Sequence, residues 1–385
     1  MKIILINAVG IRGQGGATVV EELTRAMATA RPDTSFVLVL YRPEFRDFID
    51  PTFPANVTIH HAPIRDGLSS RFYWYYVGLP QLSRKFGCDC CIDLANMFSS
   101  MMPCPGIALI HNNILFTENR SAPIEGAFRN VIRKYFARKT IRIASYTVVQ
   151  TESLKKAIIQ RVGECYDRKV IVIPSGVRSQ SAETLPSDHI KQVMSEGEGA
   201  DCVFISFPHP HKNIERLVSA FAIVASRHKE ARLLLTVRPD DALVNPQVRK
   251  VLGIVKEKNL EKRFVLLGTL SYADVNYTLK NSQLMVFPSL LESFGLGQVE
   301  AMAAGCPVAA ADLGYAHDVC GDAAVYFDPY SVESIADTML SVLNQPALAA
   351  ELREKGLKRA ENYRYDKIAE RFRELVDKII EKKNS

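Results

Sequence analysis

The sequence contains no long hydrophobic run and no regular pattern of metal ligands. No stretch of about 18 apolar residues occurs in the chain, so we predict no transmembrane helix. The N-terminal residues have one lysine and a short apolar run, without the longer apolar stretch and cleavage site of a signal peptide. Of eight cysteines only Cys88, Cys90 and Cys91 cluster, and no second Cys/His pair follows at zinc-like spacing. These absences favour reduced thiols in a cytoplasmic protein, with no bound metal.

The charge of the chain is modest and has no strong asymmetry. A net charge of +6 suits a protein that meets phosphates or an anionic membrane surface, but identifies neither. No recognisable nucleic-acid-binding module occurs, so we expect no nucleic-acid partner. Two basic segments, 69–85 and 129–142, also contain aromatic and aliphatic residues. They either rest on anionic lipid at the inner face of the cell membrane or are ordinary solvated helix faces.

Short apolar runs alternate with segments of helical periodicity along the whole chain. Alternation of this kind predicts parallel sheets covered by helices on both faces. The predicted strands are Ile3–Asn7, Phe36–Leu40, Ile107–Ile110, Thr147–Gln150, Val170–Ile173, Val203–Ser206, Leu233–Val237, Phe264–Leu267, Leu284–Phe287 and Val308–Ala310.

The polar segment 178–200 interrupts this alternation and predicts a linker between two domains. We expect an N-terminal Rossmann-like domain at residues 1–185 and a second domain at residues 200–364. The C-terminal helix, 365–385, should pack back on the first domain. Ligands of such sheets bind at the carboxyl ends of the strands. The active site is therefore expected in the loops that follow strands, in a cleft faced by both domains.

The strongest motif runs from Pro288 to Pro307. It reads as a loop after a strand, a glycine-marked helix start and a helix ending at Gly-Cys-Pro. A helix N-terminus offers unpaired N–H groups and partial positive charge, which suit a diphosphate or sugar hydroxyls. Glu292 lies just before this helix and Glu300 about one turn inside it. Carboxylates accept hydrogen bonds from vicinal hydroxyls, so one can hold a ribose and the other a transferred sugar.

The two glutamates form a Glu-x7-Glu motif that resembles the signature of the retaining glycosyltransferases of family four, which have the GT-B fold. The resemblance implies that Glu300 binds the nucleotide ribose and that Glu292 contacts the donor sugar. It also implies that the backbone near four residues of the motif binds sugar hydroxyls and phosphate: Ser293, Phe294, Gly295 and Leu296. The implied fold class is α/β, with two doubly wound Rossmann-like domains.

Other segments of the second domain resemble the family in the same order. Lys212, in the sequence Pro-His-Pro-His-Lys-Asn, falls on the lysine that holds the diphosphate leaving group. The family's companion arginine is absent, so His209 or His211 is expected to assist Lys212. The strand and turn that include Leu267 match those that hold the nucleotide base. Arg238, in another loop after a strand, is a second candidate cation for phosphate.

In the first domain, a glycine-containing loop joins the first strand to the first helix. Such a loop lets the backbone approach a phosphate or an acceptor, and the resemblance makes Gly15 and Gly16 donor-site candidates. Thr18 replaces the third glycine of a dinucleotide fingerprint, and Arg42 stands near the end of the next strand, where an acidic residue would be expected. A nicotinamide oxidoreductase is therefore disfavoured. His111 follows a strand, and by the resemblance it contacts the donor sugar as a catalytic residue.

These features favour a retaining, metal-independent hexosyltransferase that uses a nucleoside diphosphate sugar as donor and requires no cofactor. The expected acceptor is a glycan or a lipid-linked molecule, in synthesis of a surface polysaccharide or glycolipid. Two other classes stay open: a nucleotide-sugar epimerase of the same architecture, and a non-catalytic sugar-binding protein. The sequence does not identify the base, the sugar, the acceptor or the oligomeric state.

Overall fold

A computed structural model describes residues 1–11, 14–41, 53–64, 67–111, 127–178, 185–197, 200–238 and 240–384. Its chain divides into two compact units. In the described part, the first unit contains residues 1–178 and 363–384, and the second contains residues 185–362. Arg42, named above, lies outside the described residues.

The first unit is built on a seven-stranded parallel sheet of order β3-β2-β1-β4-β5-β6-β7. Its strands are β1 (Lys2–Asn7), β2 (Thr34–Leu40), β3 (Val57–His61), β4 (Cys90–Asp93), β5 (Gly106–Leu109), β6 (Tyr146–Val149) and β7 (Val170–Val172). The central strands are buried on both faces, as expected for a parallel sheet under helices. The strand order reverses between β1 and β4, so loops at their carboxyl ends share one edge of the sheet.

Helices cover both faces of this sheet. They are α1 (Gln14–Ala30), α2 (Leu68–Tyr73), a π-helical turn (Trp74–Gly78), α3 (Leu79–Phe86), α4 (Ala127–Ile143), α5 (Glu152–Val162) and, from the C-terminus, α15 (Tyr365–Asn384). Helix α15 contacts α1 and contributes buried apolar residues to the same core as β1 and β2. Its buried stripe includes Ile368, Phe372, Leu375 and Ile379 at helical spacing.

The second unit has a six-stranded parallel sheet of order β10-β9-β8-β11-β12-β13. Its strands are β8 (Asp201–Phe204), β9 (Arg232–Leu235), β10 (Phe264–Leu266), β11 (Leu284–Phe287), β12 (Val308–Ala311) and β13 (Ala324–Phe327). Its helices are α6 (Asp188–Ser195), α7 (Ile214–Arg227), α8 (Asp241–Val244), α9 (Pro246–Glu257), α10 (Tyr272–Asn281), α11 (Leu296–Ala303), α12 (Gly314–Cys320), α13 (Val332–Leu343) and α14 (Pro346–Ala360). Here the order reverses between β8 and β11.

The predicted α/β fold is confirmed, and all ten predicted strands occur with shifts of a few residues at their ends. Three strands, β3, β4 and β13, were not predicted. The segment expected to be a linker also contains helix α6. The Ser187 side chain accepts a hydrogen bond from the N–H of Ile190 at the start of α6, and Ile190 and Met194 are buried. Two buried apolar residues and a cap are enough to order a segment whose composition is mostly polar.

Candidate functional site

The candidate site of the second unit lies at the point where its strand order reverses. β8 pairs directly with β11, so the loops that follow these strands are neighbours. Leu290 N–H donates to the carbonyl of His211 at 2.8 Å, which joins the two loops through the backbone. The two segments that the sequence singled out independently therefore meet at one edge of the sheet.

Asn213 fixes the shape of the first of these loops. It adopts a left-handed conformation with φ 57°, which asparagine tolerates better than most residues. Its buried amide Nδ2 donates to the carbonyls of Pro288, at 3.2 Å, and Pro329, at 2.7 Å. The residue before α7 is thus tied to two other loops, and this holds the preceding Lys212 in place.

Lys212 and Glu292 form the closest ion pair of the site. The Lys212 Nζ atom lies 2.5 Å from Glu292 Oε1, and each side chain is only 14% exposed. The same Nζ lies 5.6 Å from the centre of the Phe287 ring, within cation–π range. The sequence predicted separate roles for these side chains in binding phosphate and sugar. The structure brings them together as partners.

The start of α11 requires glycine at position 295. Gly295 has φ 92°, and an added Cβ atom would lie 2.4 Å from Gln298 Nε2. The N-cap residue is Gly295 itself, so no N-cap side chain accepts from the amides of the first turn. Phe294 is buried, whereas Ser293 and Leu296 are partly exposed. The backbone at residues 295–296 can therefore donate to a phosphate or a hydroxyl.

Glu300 lies on α11 with its carboxyl group in a crowded environment. Burial raises the pKa of this carboxyl to about 7. No side-chain or backbone donor among the described residues is hydrogen-bonded to it. A carboxylate held without donors is stabilised when hydroxyl groups arrive. Glu300 is therefore suited to accept hydrogen bonds from a bound ribose.

His209 and His211 flank the ion pair on the loop after β8. Their rings stack with centroids 5.5 Å apart and planes at 13°. Burial, followed by the charge of Lys212, lowers the pKa of both imidazoles, and for His211 the value falls to about 4. Both rings are therefore neutral near pH 7 in the free protein.

Arg238 and Leu267 lie in the loops that follow β9 and β10, at the same carboxyl edge of the sheet. Arg238 binds Asp241 through its side chain, with Nη2 2.8 Å from Oδ1, and remains 62% exposed. Leu267 is buried and its N–H donates to the carbonyl of Leu235. The turn after β10 continues at Gly268, which has φ 68° and lies against the Arg238 side chain. Asp241 engages Nε and Nη2 of Arg238, so an anion would meet a guanidinium whose charge is already balanced.

In the first unit, His111 follows β5 at the carboxyl edge of the sheet. Its backbone N–H donates to Asn96 Oδ1 at 2.6 Å, and its Nδ1 lies 3.1 Å from Gln150 Nε2. Burial lowers the pKa of this imidazole to about 4, so the ring is neutral at pH 7. With Gln150 donating to Nδ1, the proton is on Nε2, which is buried, and the Leu94 backbone favours the protonated ring. His111 can therefore donate one hydrogen bond to a hydroxyl.

The predicted glycine loop of the first unit is shorter than the sequence suggested. Helix α1 begins at Gln14, which places Gly15 and Gly16 in its first turn rather than in a loop. An added Cβ at Gly16 would lie 2.6 Å from Ile11 Cγ2. Close packing of the helix start against Ile11 is therefore a sufficient reason for glycine at position 16. A role in ligand binding is an equally good explanation.

A buried polar cluster beside this helix start was not predicted. Asp93, at the end of β4, accepts hydrogen bonds from Asn7 Nδ2 at 2.6 Å and from the Ala95 N–H at 2.9 Å. Tyr75 OH donates to the carbonyl of Val9 at 3.2 Å. Burial raises the pKa of Asp93 to about 7. The cluster ties the ends of β1 and β4 to the segment that precedes α1. A lone aspartate at the end of an unrecognised strand gave no sequence signal for it.

Two kinds of feature are absent from the described residues. No helix in the described ranges combines the length and apolar character needed to cross a bilayer. Within the same ranges no three His, Cys, Asp or Glu side chains gather in a way that could hold a metal ion.

Comparisons with known proteins agree with this architecture. Residues 188–359 match the family model described as glycosyl transferases group 1. Sucrose-phosphate synthase from Spinacia oleracea is 27% identical over 181 residues, which are 44% of this chain and 17% of that protein. The chain therefore spans only a small part of this relative.

Two solved structures share the fold over almost the whole chain. Sucrose-phosphate synthase from Thermosynechococcus elongatus superposes with a TM-score of 0.79 at 18% identity, covering 98% of this chain and 99% of that one. Anabaena HepE in complex with UDP-glucose gives 0.73 at 17% identity, covering 98% and 100%. The chain therefore has the GT-B fold, and residues 188–359 of its second unit are similar to the group 1 glycosyltransferases, a family of transferase enzymes.

Proposed function

We propose that this protein transfers a hexose-type sugar from a nucleoside diphosphate sugar to a glycan or lipid-linked acceptor, with retention of anomeric configuration. The observation that carries the proposal is the pair of carboxylates at the start of α11. Glu300 has no donor among the described residues, and Glu292 is held by Lys212 at 2.5 Å. Between them lie the uncapped helix start and Gly295.

Each part of a nucleotide sugar has a matching group in the second domain. Ribose hydroxyls would donate to Glu300, and the diphosphate would accept from the α11 amides and from Lys212. The sugar would contact Glu292 and Ser293, and the base would lie against the backbone near Leu267. Anabaena HepE, which has the same fold, binds UDP-glucose. That relationship supports a nucleotide-sugar donor here, without identifying the base or the sugar.

In the proposed reaction the bond from the anomeric carbon to the diphosphate oxygen breaks and a bond to the acceptor oxygen forms. The acceptor's proton passes to the departing diphosphate. Lys212 and the α11 amides would stabilise the negative charge that develops on the leaving group, which needs neither a metal ion nor a cofactor. His111 Nε2–H would bind a hydroxyl of the donor sugar and orient it.

A lipid-linked acceptor would place the enzyme at a membrane, and one surface of the first unit supports such contact. We call it the basic aromatic face. It comprises residues 68–86 and α4, which together contain no Asp or Glu. Its described cations are Arg71, Arg84, Lys85, Lys134, Arg138, Lys139 and Arg142.

Aromatic side chains join the two segments of the basic aromatic face. Phe72 packs against Phe136 with ring centroids 5.2 Å apart, and Lys139 Nζ lies 5.3 Å from the centre of the Tyr76 ring. Tyr73 and Tyr135 are 60% and 62% exposed. Exposed aromatic side chains among several cations suit the headgroup region of an anionic bilayer. We propose peripheral attachment to the inner face of the cell membrane, in assembly of a surface polysaccharide or glycolipid.

The proposal is tested by calorimetric titration of the intact protein with UDP-glucose, GDP-mannose and ADP-glucose. We expect one of these donors, or a donor with the same base, to bind with a Kd in the micromolar to millimolar range. The nucleoside diphosphate with that base (UDP, GDP or ADP) should compete with it. A folded protein that binds none of the three nucleoside diphosphates would contradict the proposed donor class.

A further inference from the structure

We infer that His209 and His211 take up a proton when the diphosphate of the donor binds, and so replace the arginine that the family motif has in this loop. The inference rests on the proposed function, because it concerns the same site. It assigns a binding role to His211 as well as His209, and makes donor affinity depend on pH.

Charge balance in the loops is the first argument. Lys212 is neutralised by Glu292 at 2.5 Å, and Arg238 by Asp241 at 2.8 Å. A nucleotide sugar brings two negative charges on its diphosphate. Lys212 and Arg238, the two cations that the sequence assigned to phosphate, therefore add little net positive charge to the candidate site. A further positive charge near the diphosphate would strengthen its binding.

The geometry places the two imidazoles where that charge is needed. His209 and His211 lie on either side of Pro210, and their rings stack at 5.5 Å. The carbonyl of His211 accepts the N–H of Leu290, so the ring is anchored next to the loop that carries Glu292. Because the rings are parallel and close, repulsion disfavours two full charges, and one additional proton shared by the pair is expected.

The surrounding charges explain why the pair is neutral in the free protein. Burial and the neighbouring Lys212 disfavour protonation of both rings, while Glu292 favours it. At the adjoining start of α7, Glu215 lies 3.6 Å from Lys250 Nζ and Arg216 donates to Asn213. A bound diphosphate adds two negative charges to this balance, which raises the histidine pKa values and favours proton uptake.

The sign of the pH dependence follows from linkage. The pKa of His211 is about 4 in the free protein and rises when the diphosphate binds. The affinity for the donor should then fall as pH rises from the pKa of the free protein towards the higher pKa of the complex. The fall is at most about tenfold per pH unit for one proton. Glu300 acts in the opposite direction, because ribose donors lower its pKa from about 7 and release a proton. The histidine contribution must therefore be measured as a difference between variants.

The experiment is calorimetric titration with UDP-glucose, GDP-mannose and ADP-glucose between pH 5.5 and 8, in buffers of different ionisation enthalpy. Their diphosphates are esterified at both ends and do not titrate in this range. The intact wild-type protein is compared with His209→Asn, His211→Asn and the double variant. His189→Asn, at an exposed position on α6, is the control. Melting temperatures establish that each variant is folded.

On binding the donor, wild type and His189→Asn should take up more protons than the double variant. As pH rises from 5.5 to 8, their donor affinity should fall several-fold more than that of the double variant. Equal proton counts and parallel pH profiles for wild type and double variant would overturn the inference but leave the proposed function standing. Failure of all three donors to bind wild type at any pH would overturn both.

Discussion

The side chains of Lys212 and Glu292 form an ion pair, with Nζ and Oε1 2.5 Å apart. The motif comparison assigned one to the diphosphate and the other to the sugar. A donor bound as proposed would enter a site whose main cation and carboxylate are already paired and only partly exposed. Preorganised charges of this kind need little rearrangement when charge develops on a leaving group.

Replacing Lys212 tests its role in leaving-group stabilisation. We expect Lys212→Ala to lower kcat by about 10²–10³, the usual effect of removing one group that stabilises developing charge. Steady-state kinetics would measure this, with Lys229→Ala, at an exposed position just after the C-terminal end of α7, as control. Unchanged kcat in Lys212→Ala would remove this residue from the mechanism.

Replacing Glu300 tests ribose binding. Glu300→Gln should weaken binding of the free nucleoside diphosphate by about 1.5–3 kcal/mol, the usual range for hydrogen bonds to a charged group. The exposed Glu354 on α14 provides the matched control, Glu354→Gln. If the two variants bind the nucleotide equally well, Glu300 does not hold the ribose.

The same carboxyl group predicts a dependence of stability on pH. The folded-state pKa of Glu300 is about 7, above the ordinary value of 4.5. Its contribution to stability is therefore fully present below about pH 4.5 and is lost as pH rises to about 7. Relative to wild type, Glu300→Gln should gain about 1–3 kcal/mol between pH 4.5 and 8. Denaturant unfolding at both pH values measures the gain, and an identical pH profile for both proteins would contradict it.

Two glycines offer a paired test of the backbone at the donor site. Gly295→Ala should destabilise the protein by about 1–3 kcal/mol, since φ is 92° and the new Cβ meets Gln298 at 2.4 Å. Gly253→Ala, inside α9 with open space around its Cβ, should stabilise by about 0.4–1 kcal/mol. Thermal unfolding compares them, and a stabilised Gly295→Ala would show that the left-handed turn before α11 is not required.

Membrane attachment is tested by cosedimentation with vesicles. Lys134→Gln/Arg138→Gln should weaken binding to vesicles with anionic lipid by about 2 kcal/mol, at roughly 1 kcal/mol for each cation near the surface. Lys229→Gln/Lys256→Gln, on exposed positions of the second unit, is the charge-matched control. Binding that is absent in wild type, or equally reduced in both variants, would contradict attachment through the basic aromatic face.

The sequence predicted the fold well because parallel strands buried on both faces read as continuous apolar runs. β4 escaped prediction because its four residues, Cys90 to Asp93, include only one aliphatic side chain. The polar cluster around Asp93 was missed for the same reason, since its partners join only when β1 and β4 pair. Likewise the motif located Lys212 and Glu292, but nothing in the spacing of residues 80 positions apart indicates an ion pair.

The most direct measurement is release of nucleoside diphosphate from UDP-, GDP- and ADP-sugars by the purified protein, with and without a panel of glycan and lipid-linked acceptors. We predict release from one donor class, stimulated by an acceptor and accompanied by a glycosylated product with the donor's anomeric configuration. A folded, donor-binding protein that releases no nucleoside diphosphate with any acceptor, or that returns only a rearranged nucleotide sugar, would contradict the proposal of glycosyl transfer.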